Sequence, residues 1–192
     1  MRRHRAARYS QPIPDEPQLV RQAKSGDSEA FARLYDAYVE RIYRYIYFRV
    51  TDEVETEDLT SQVFLKAWEN LERYKIGRAP YLAWLYTIAR NLVIDHYRTQ
   101  KESVPLDDVL LHAPQEQNPD QQAELRFELQ AMRDALQLLT EEQQEVLILK
   151  FIAGLPNPNI AKLMNKREGA IRALQMRALQ TLSKHMEVKE PV

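Results

Sequence analysis

The sequence predicts an all-α protein of two small helical domains joined by a flexible acidic linker, the second containing a helix-turn-helix. Three observations predict it. Apolar residues recur at helical spacing through most of the chain, and only 4 of 192 residues are Gly. The stretch 101–122 loses that periodicity and carries Pro105, Pro114 and Pro119. Near the C-terminus a short helical segment, a three-residue break and a longer basic helical segment follow one another. On this reading residues 1–17 are a flexible basic tail, 18–100 the first domain, 101–122 the linker, 123–187 the second domain and 188–192 a tail.

The tail, 1–17, holds four Arg and three Pro with little apolar content. Residues 18–24 are a short amphipathic segment. Ser25-Gly26-Asp27-Ser28 breaks the chain, with Asp27 as N-cap of the next helix and Glu29 suited to its dipole. That helix, 28–50, carries Phe31, Leu34, Tyr35, Tyr38, Ile42, Tyr45 and Ile46 on one stripe. Aromatic residues at this spacing read as helix contacts. Thr51-Asp52 ends it, and a helix with acids in its first turn follows. Its buried stripe is Leu59, Val63, Phe64, Ala67, Trp68 and Leu71; its opposite side shows Asp58, Ser61, Gln62, Glu69 and Glu72. Residues 73–80 then form a loop, marked by Gly77 and Pro80, with Arg73, Lys75, Arg78 and Tyr74 in it.

The loop leads into 81–98, which has no Gly or Pro. Leu82, Leu85, Ile88, Ala89, Leu92 and Val93 give a buried face, to which Trp84 is assigned, and Thr87, Arg90, Asn91, Ile94 and Arg98 give the other. A basic loop with aromatics before a helix of Arg and Asn suits unpaired bases, since stacking and phosphate attraction work with any base. The candidates are Lys75, Arg78, Tyr81, Arg90, Asn91 and Arg98.

In the second half, 123–139 puts Leu125, Leu129, Met132, Leu136 and Leu139 on one side. Thr140 and Gln143 have capping-box spacing, and the helix they open runs to Gly154, a C-cap. Asn157-Pro158 reads as an N-cap followed by Pro at the first helical position, starting the helix 158–164. After the turn 165–167, the helix 168–186 packs Ile171, Leu174, Ala178, Leu179 and Leu182 inward. It leaves Arg167, Arg172, Gln175, Met176 and Arg177 outward. The N-terminal half of such a helix enters the major groove, where Arg can bond guanine and Gln adenine in two places each.

Charge falls in blocks. Residues 51–72 hold seven acids and one Lys; 73–101 hold six basic residues and one acid. Residues 102–120 hold five acids and no Lys or Arg, and 160–185 six basic residues and one acid. Alternating blocks suit two surfaces for nucleic acid and acidic surfaces for a basic partner, though solvated helix faces give the same pattern. The net charge of -1 decides nothing. Cys is absent, which excludes disulfides and thiolate metal sites and suits a reducing cytoplasm. No apolar run approaches the roughly 20 residues of a membrane span. No Ser/His/acid set, phosphate loop or metal spacing appears, so neither catalysis nor a cofactor is expected. A stand-alone helix-turn-helix regulator of duplex DNA is the competing class, and a helical adaptor with no DNA role the third.

Taken together, the stretches 57–68, 81–98 and 139–182 resemble the bacterial RNA polymerase sigma factors of the extracytoplasmic-function (ECF) group, over about 18–182. Glu57-Asp58-Leu59-Thr60-Ser61-Gln62-Val63-Phe64-Leu65-Lys66-Ala67-Trp68 looks like the segment that binds the β′ clamp helices of core polymerase. The resemblance implies polymerase contacts from Asp58, Gln62, Phe64, Glu69 and Glu72. The W-L-x-x-I-A-R-N and D-x-x-R of 81–98 look like the helix that melts and reads the minus-ten element. Residues 139–182 look like the minus-thirty-five-reading domain, with Glu168-Gly169-Ala170-Ile171 opening the recognition helix. The implied partners are RNA polymerase core, through its clamp helices and β flap, promoter DNA and an anti-sigma factor. The chain departs from the family at Ser61-Gln62, where Gln-Glu is usual, and at Pro156–Asn159, where acids are usual. Arg167 replaces a small capping residue and Ala173 a Ser, so promoter preference does not carry over from relatives.

Overall fold

Local capping and apolar spacing shape each helix in turn, and a computed structural model describes residues 13–50, 52–103 and 119–187. The first domain comprises α1 (Glu16–Lys24), α2 (Ser28–Tyr47), α3 (Glu53–Glu69) and α4 (Tyr81–Ser103), with a 3-10 turn at Leu71–Arg73. The second comprises α5 (Pro119–Gln137), α6 (Glu141–Leu147), α7 (Asn157–Met164) and α8 (Glu168–Glu187), with a π turn at Ile148–Ile152. No strand occurs among the described residues.

In the first domain α2 lies at the centre, touching α1, α3 and α4. Asp27 caps it as expected, accepting from the N–H groups of Glu29 and Ala30. Its Leu34, Tyr38, Ile42, Tyr45 and Ile46 are wholly buried, so the tyrosine stripe is core. Leu85, Tyr86, Ala89 and Val93 of α4 and Val63 and Ala67 of α3 complete that core.

The expected boundaries shift at several points. α1 begins at Glu16, inside the expected tail, with Asp15 at the N-cap and Pro17 in the first turn, where its missing N–H costs nothing. Glu16 is buried there and accepts from the Tyr38 hydroxyl and, at 3.2 Å, from the Tyr81 N–H at the start of α4. α4 extends to Ser103 and α5 begins at Pro119, so both enter the expected linker. The rest of that linker, and the tails at 1–12 and 188–192, lie outside the described residues.

In the second domain the capping box at Thr140 and Gln143 is present. The helix it opens turns into a π turn before Gly154, which has φ +70°. Asn157 is not the N-cap of α7. Pro156 occupies that position, and the Asn157 amide pairs with Gln175 of α8 instead. Asn165 closes α7 in the left-handed conformation, φ 53°, which a short polar side chain tolerates. Ile160, Ile171 and Ala178 are buried where α6, α7 and α8 meet. The domains also touch each other: α2 meets the π turn, and α4 meets α7.

Candidate nucleic-acid interface

The acidic side of the first domain is a groove between α3 and α4, lined by Glu55, Asp58, Gln62, Asp95 and His96 among others. Asp58 is exposed and accepts from the Gln62 amide at 2.7 Å; His96 lies 3.2 Å from Glu55. Glu69 and Glu72 are exposed beyond it. Phe64 does not belong to this surface: it is 4% exposed, packed edge-on against Tyr35. Its position on the inner stripe takes it into the core. The apolar side chains that reach solvent on α3 are Val54, Leu65 and Trp68, the last held edge-on by Phe31 at 4.8 Å.

A basic cleft of about 730 Å³ lies elsewhere, lined on one side by Arg73, Lys75, Arg78, Trp84 and Thr87 and on the other by Asn159, Lys162 and Leu163. No acid lines it. The Tyr74 hydroxyl donates to the Ala79 carbonyl at 2.6 Å, and the Tyr74 carbonyl accepts from Lys24 at 3.0 Å. The loop is thus pinned, with Lys75 and Arg78 held outward. Burial of Tyr74 pushes its phenol up to about 12.

Tyr81 cannot meet DNA. It is 0% exposed, its ring surrounded by Tyr38, Tyr74 and Trp84 at 5.4–5.9 Å. The first turn of α4 faces the α1–α2 junction, which draws Tyr81 inward. Trp84, half-buried, presents its ring in the cleft wall. Its sequence position signals core, because it does pack against the core with its other side.

The polar strip of α4 divides. Asn91 and Arg98 are exposed. Arg90 is half-buried, its Nε 3.8 Å from Glu145 of α6. Glu145 is 3% exposed and also accepts from the Tyr45 hydroxyl at 2.8 Å and pairs with Arg49 at 3.2 Å. Arg49, itself buried, donates further to the Glu141 carbonyl. Burial, and next the negative charge of Glu145, push the Tyr45 phenol well above its ordinary value. No periodicity signals this cluster, because Tyr45, Arg49 and Arg90 all lie far from Glu145 along the chain.

Arg167, just before α8, and Arg172, Met176 and Arg177 on it are exposed, and a Cβ at Gly169 would meet nothing within 4 Å, so the N-terminal face is open. Arg172 lies 3.8 Å from Glu168. Gln175 departs from expectation. It is half-buried, and its amide exchanges both hydrogen bonds with Asn157, at 3.2 and 3.3 Å. That pair ties α8 to α7 and occupies the groups a base would need.

Known proteins carry the same two modules in the same order. Residues 34–103 match Sigma-70 region 2 and residues 129–182 match Sigma-70, region 4. The ECF RNA polymerase sigma factor BldN of Streptomyces coelicolor is 39% identical over 169 residues, 87% of this chain and 64% of that longer protein. The ECF RNA polymerase sigma factor SigX of Bacillus subtilis is 31% identical over 83% of this chain and 85% of its own length. The fold matches CnrH, solved in complex with the cytosolic domain of CnrY, with TM-score 0.72 over 91% of this chain and 99% of that one, at 23% identity. No helix among the described residues is long and apolar enough to cross a membrane. With both regions matched in order, and one relative followed along most of its length, the chain belongs to the ECF group of RNA polymerase sigma factors.

Proposed function

We propose that the protein brings core RNA polymerase to promoters and holds the first melted bases, with its two charge surfaces divided between the two partners. The acidic side of α3, with Asp58, Gln62, Glu69 and Glu72 around exposed Leu65 and Trp68, docks on basic helices of the polymerase. Lys75, Arg78, Asn91 and Arg98, with Arg90 once released from Glu145, attract the melted strand. Trp84 offers it a ring on which to stack. Arg167, Arg172, Met176 and Arg177 face the upstream major groove. The single observation that carries this reading is the segregation of charge: acids line the groove between α3 and α4, and none lines the cleft beside the basic loop.

The magnitudes suit a small bubble. Opening duplex costs about 1.4 kcal/mol per step, and a stacked base returns roughly 1–3 kcal/mol. One ring and a few phosphate contacts therefore balance only a few opened pairs. Two solved neighbours bear on partners: CnrH and a Bartonella quintana RpoE were each solved in complex with a second protein, the latter's an anti-sigma factor. By analogy an anti-sigma protein controls this chain as well.

The test is reconstituted transcription with core polymerase, scored by permanganate reactivity of the opened bases. Asn91→Ala should reduce the bubble while leaving polymerase capture intact. Arg172→Ala with Arg177→Ala should weaken upstream contact and transcription. Specific, tight binding of promoter duplex by the purified chain alone would refute this reading in favour of a stand-alone regulator.

A further inference from the structure

We infer that α1 braces the minus-ten cleft, with Glu16 and Lys24 as positioning residues that set the loop 74–80 and the first turn of α4 before a DNA strand arrives. The inference deepens the functional reading above and rests on it. Both ends of the loop are tied to α1. At its start, Lys24 Nζ donates to the Tyr74 carbonyl at 3.0 Å. Tyr74 follows the 3-10 turn Leu71–Arg73 with extended backbone, so no helical N–H reaches that carbonyl. At its end, Glu16 Oε1 accepts from the Tyr81 N–H at 3.2 Å. The residue before α4 is Pro80, which has no side-chain acceptor with which to cap the helix. Glu16 supplies that acceptor from another helix, and its carboxylate suits the positive end of α4. The other oxygen of Glu16 is held by the Tyr38 hydroxyl.

Between these ties lie Lys75, Gly77 and Arg78. Gly77 has φ +86°, and a Cβ there would meet nothing within 4 Å, so packing does not hold the loop at that point. The bond from the Tyr74 hydroxyl to the Ala79 carbonyl closes the loop on itself, but only the contacts with α1 fix where it sits. The rings of Tyr74 and Tyr81, one at each tie, flank Trp84 at 5.2 and 5.5 Å. A shift at either tie therefore moves Lys75, Arg78 and the Trp84 ring relative to one another. Neither Glu16 nor Lys24 lines the cleft, so they act on a strand through the loop and not by touching it. A loop ordered in advance has no such freedom left to lose on binding, which favours opening of the duplex.

Lys24→Met keeps the apolar stem and removes the donor. Holoenzyme assembled from core polymerase and the full-length variant is tested on a promoter fragment that the parent holoenzyme transcribes. Permanganate should show opening reduced about three- to tenfold, because ordering of the loop is deferred to the binding step. Capture of core polymerase, binding of a duplex fragment that ends upstream of the minus-ten element, and the urea midpoint should match the parent. Lys24→Arg should restore opening, since a guanidinium also donates to a carbonyl. Tyr74→Phe, which removes the bond to Ala79, should show a loss of similar size. The double variant Lys24→Met with Tyr74→Phe should lose little more than either alone, because a loop is released only once, whereas a residue touching DNA would add its own loss. Glu16→Gln, which keeps an acceptor oxygen, should open more than Glu16→Ala, both assayed at a temperature where circular dichroism shows full helicity. Parental opening by Lys24→Met would overturn the brace, as would a fully additive double variant or no rescue by Lys24→Arg. Equal opening by the two Glu16 variants would remove Glu16 from it. A parent chain that captures no core polymerase, or whose holoenzyme transcribes no fragment, would instead count against the sigma-factor reading.

Discussion

Phe64 and Leu65 are adjacent, and the helix turns one into the core and the other to solvent. Phe64→Ala should cost about 3–5 kcal/mol of stability, as a core aromatic deletion does. Leu65→Ala should leave the urea midpoint unchanged and weaken capture by core polymerase in a pull-down; the reverse pattern would place Phe64 back on the docking face. Glu16 works the same way at the opposite end of the core. Glu16→Ala leaves the Tyr38 hydroxyl and the first N–H of α4 buried without their acceptor. The expected loss is about 3 kcal/mol in urea unfolding, most of it restored in Glu16→Gln, which keeps an acceptor oxygen. Buried phenols add a dependence on pH. Burial first, then nearby carboxylates, push Tyr43 up to about 12 and Tyr38 further. Such groups remain neutral in the fold and ionise near 10 when it unfolds. Their contribution is complete below pH 10 and is lost as pH rises above it, because the unfolded chain then sheds protons that the native one keeps. Phenolate absorbance should thus appear in at least two steps, with stability falling through the first. A single step near 10 with constant stability would contradict the burial of the tyrosine stripe.

Among the elements, the caps of the second domain are local devices. Thr140 Oγ accepts from the Gln143 N–H at 3.4 Å while Gln143 Oε1 accepts from the Thr140 N–H at 3.1 Å. Thr140→Ala should lower stability by about 1 kcal/mol, read as a lower melting temperature. Asn165, in the left-handed region between α7 and α8, sets the angle of the helix-turn-helix. Asn165→Ala should cost about 1 kcal/mol, whereas Asn165→Gly should cost nothing or stabilise. Equal losses in both would mean that the Asn side chain, not the backbone angle, matters there.

For the whole molecule, two electrostatic effects oppose each other across the domain boundary, beside Arg133 of α5, which lies over the Tyr47 ring at 4.0 Å and donates to the Val50 carbonyl. The Glu145 cluster is buried and little affected by salt; the cations facing each other across the cleft are exposed and screened. Raising salt from about 0.05 to about 0.5 M shortens the Debye length several-fold, so the closed population should rise with salt. The distance between two dyes on thiols introduced by Ala32→Cys on α2 and Lys184→Cys on α8, both exposed, reads this directly. A closed population that falls with salt would mean that exposed attraction, and not the buried cluster, joins the domains.

Apolar spacing, caps and charge blocks were sufficient, by themselves, to determine an all-α chain of two domains, the helix-turn-helix and a basic loop before an Arg/Asn helix. Those are properties of residues a few positions apart, where backbone geometry alone decides which side chains share a face. Tertiary packing decided the rest. Tyr81 became core because α1 and α2 converge on the start of α4, and Gln175 became a tie to Asn157 because α7 crosses beside it. Trp84 kept one side for the cleft because no helix covers it there. The pairing of Arg90 with Glu145 depends on how the two modules meet, and a buried charge finds its partner wherever the chain brings one, at any separation in sequence.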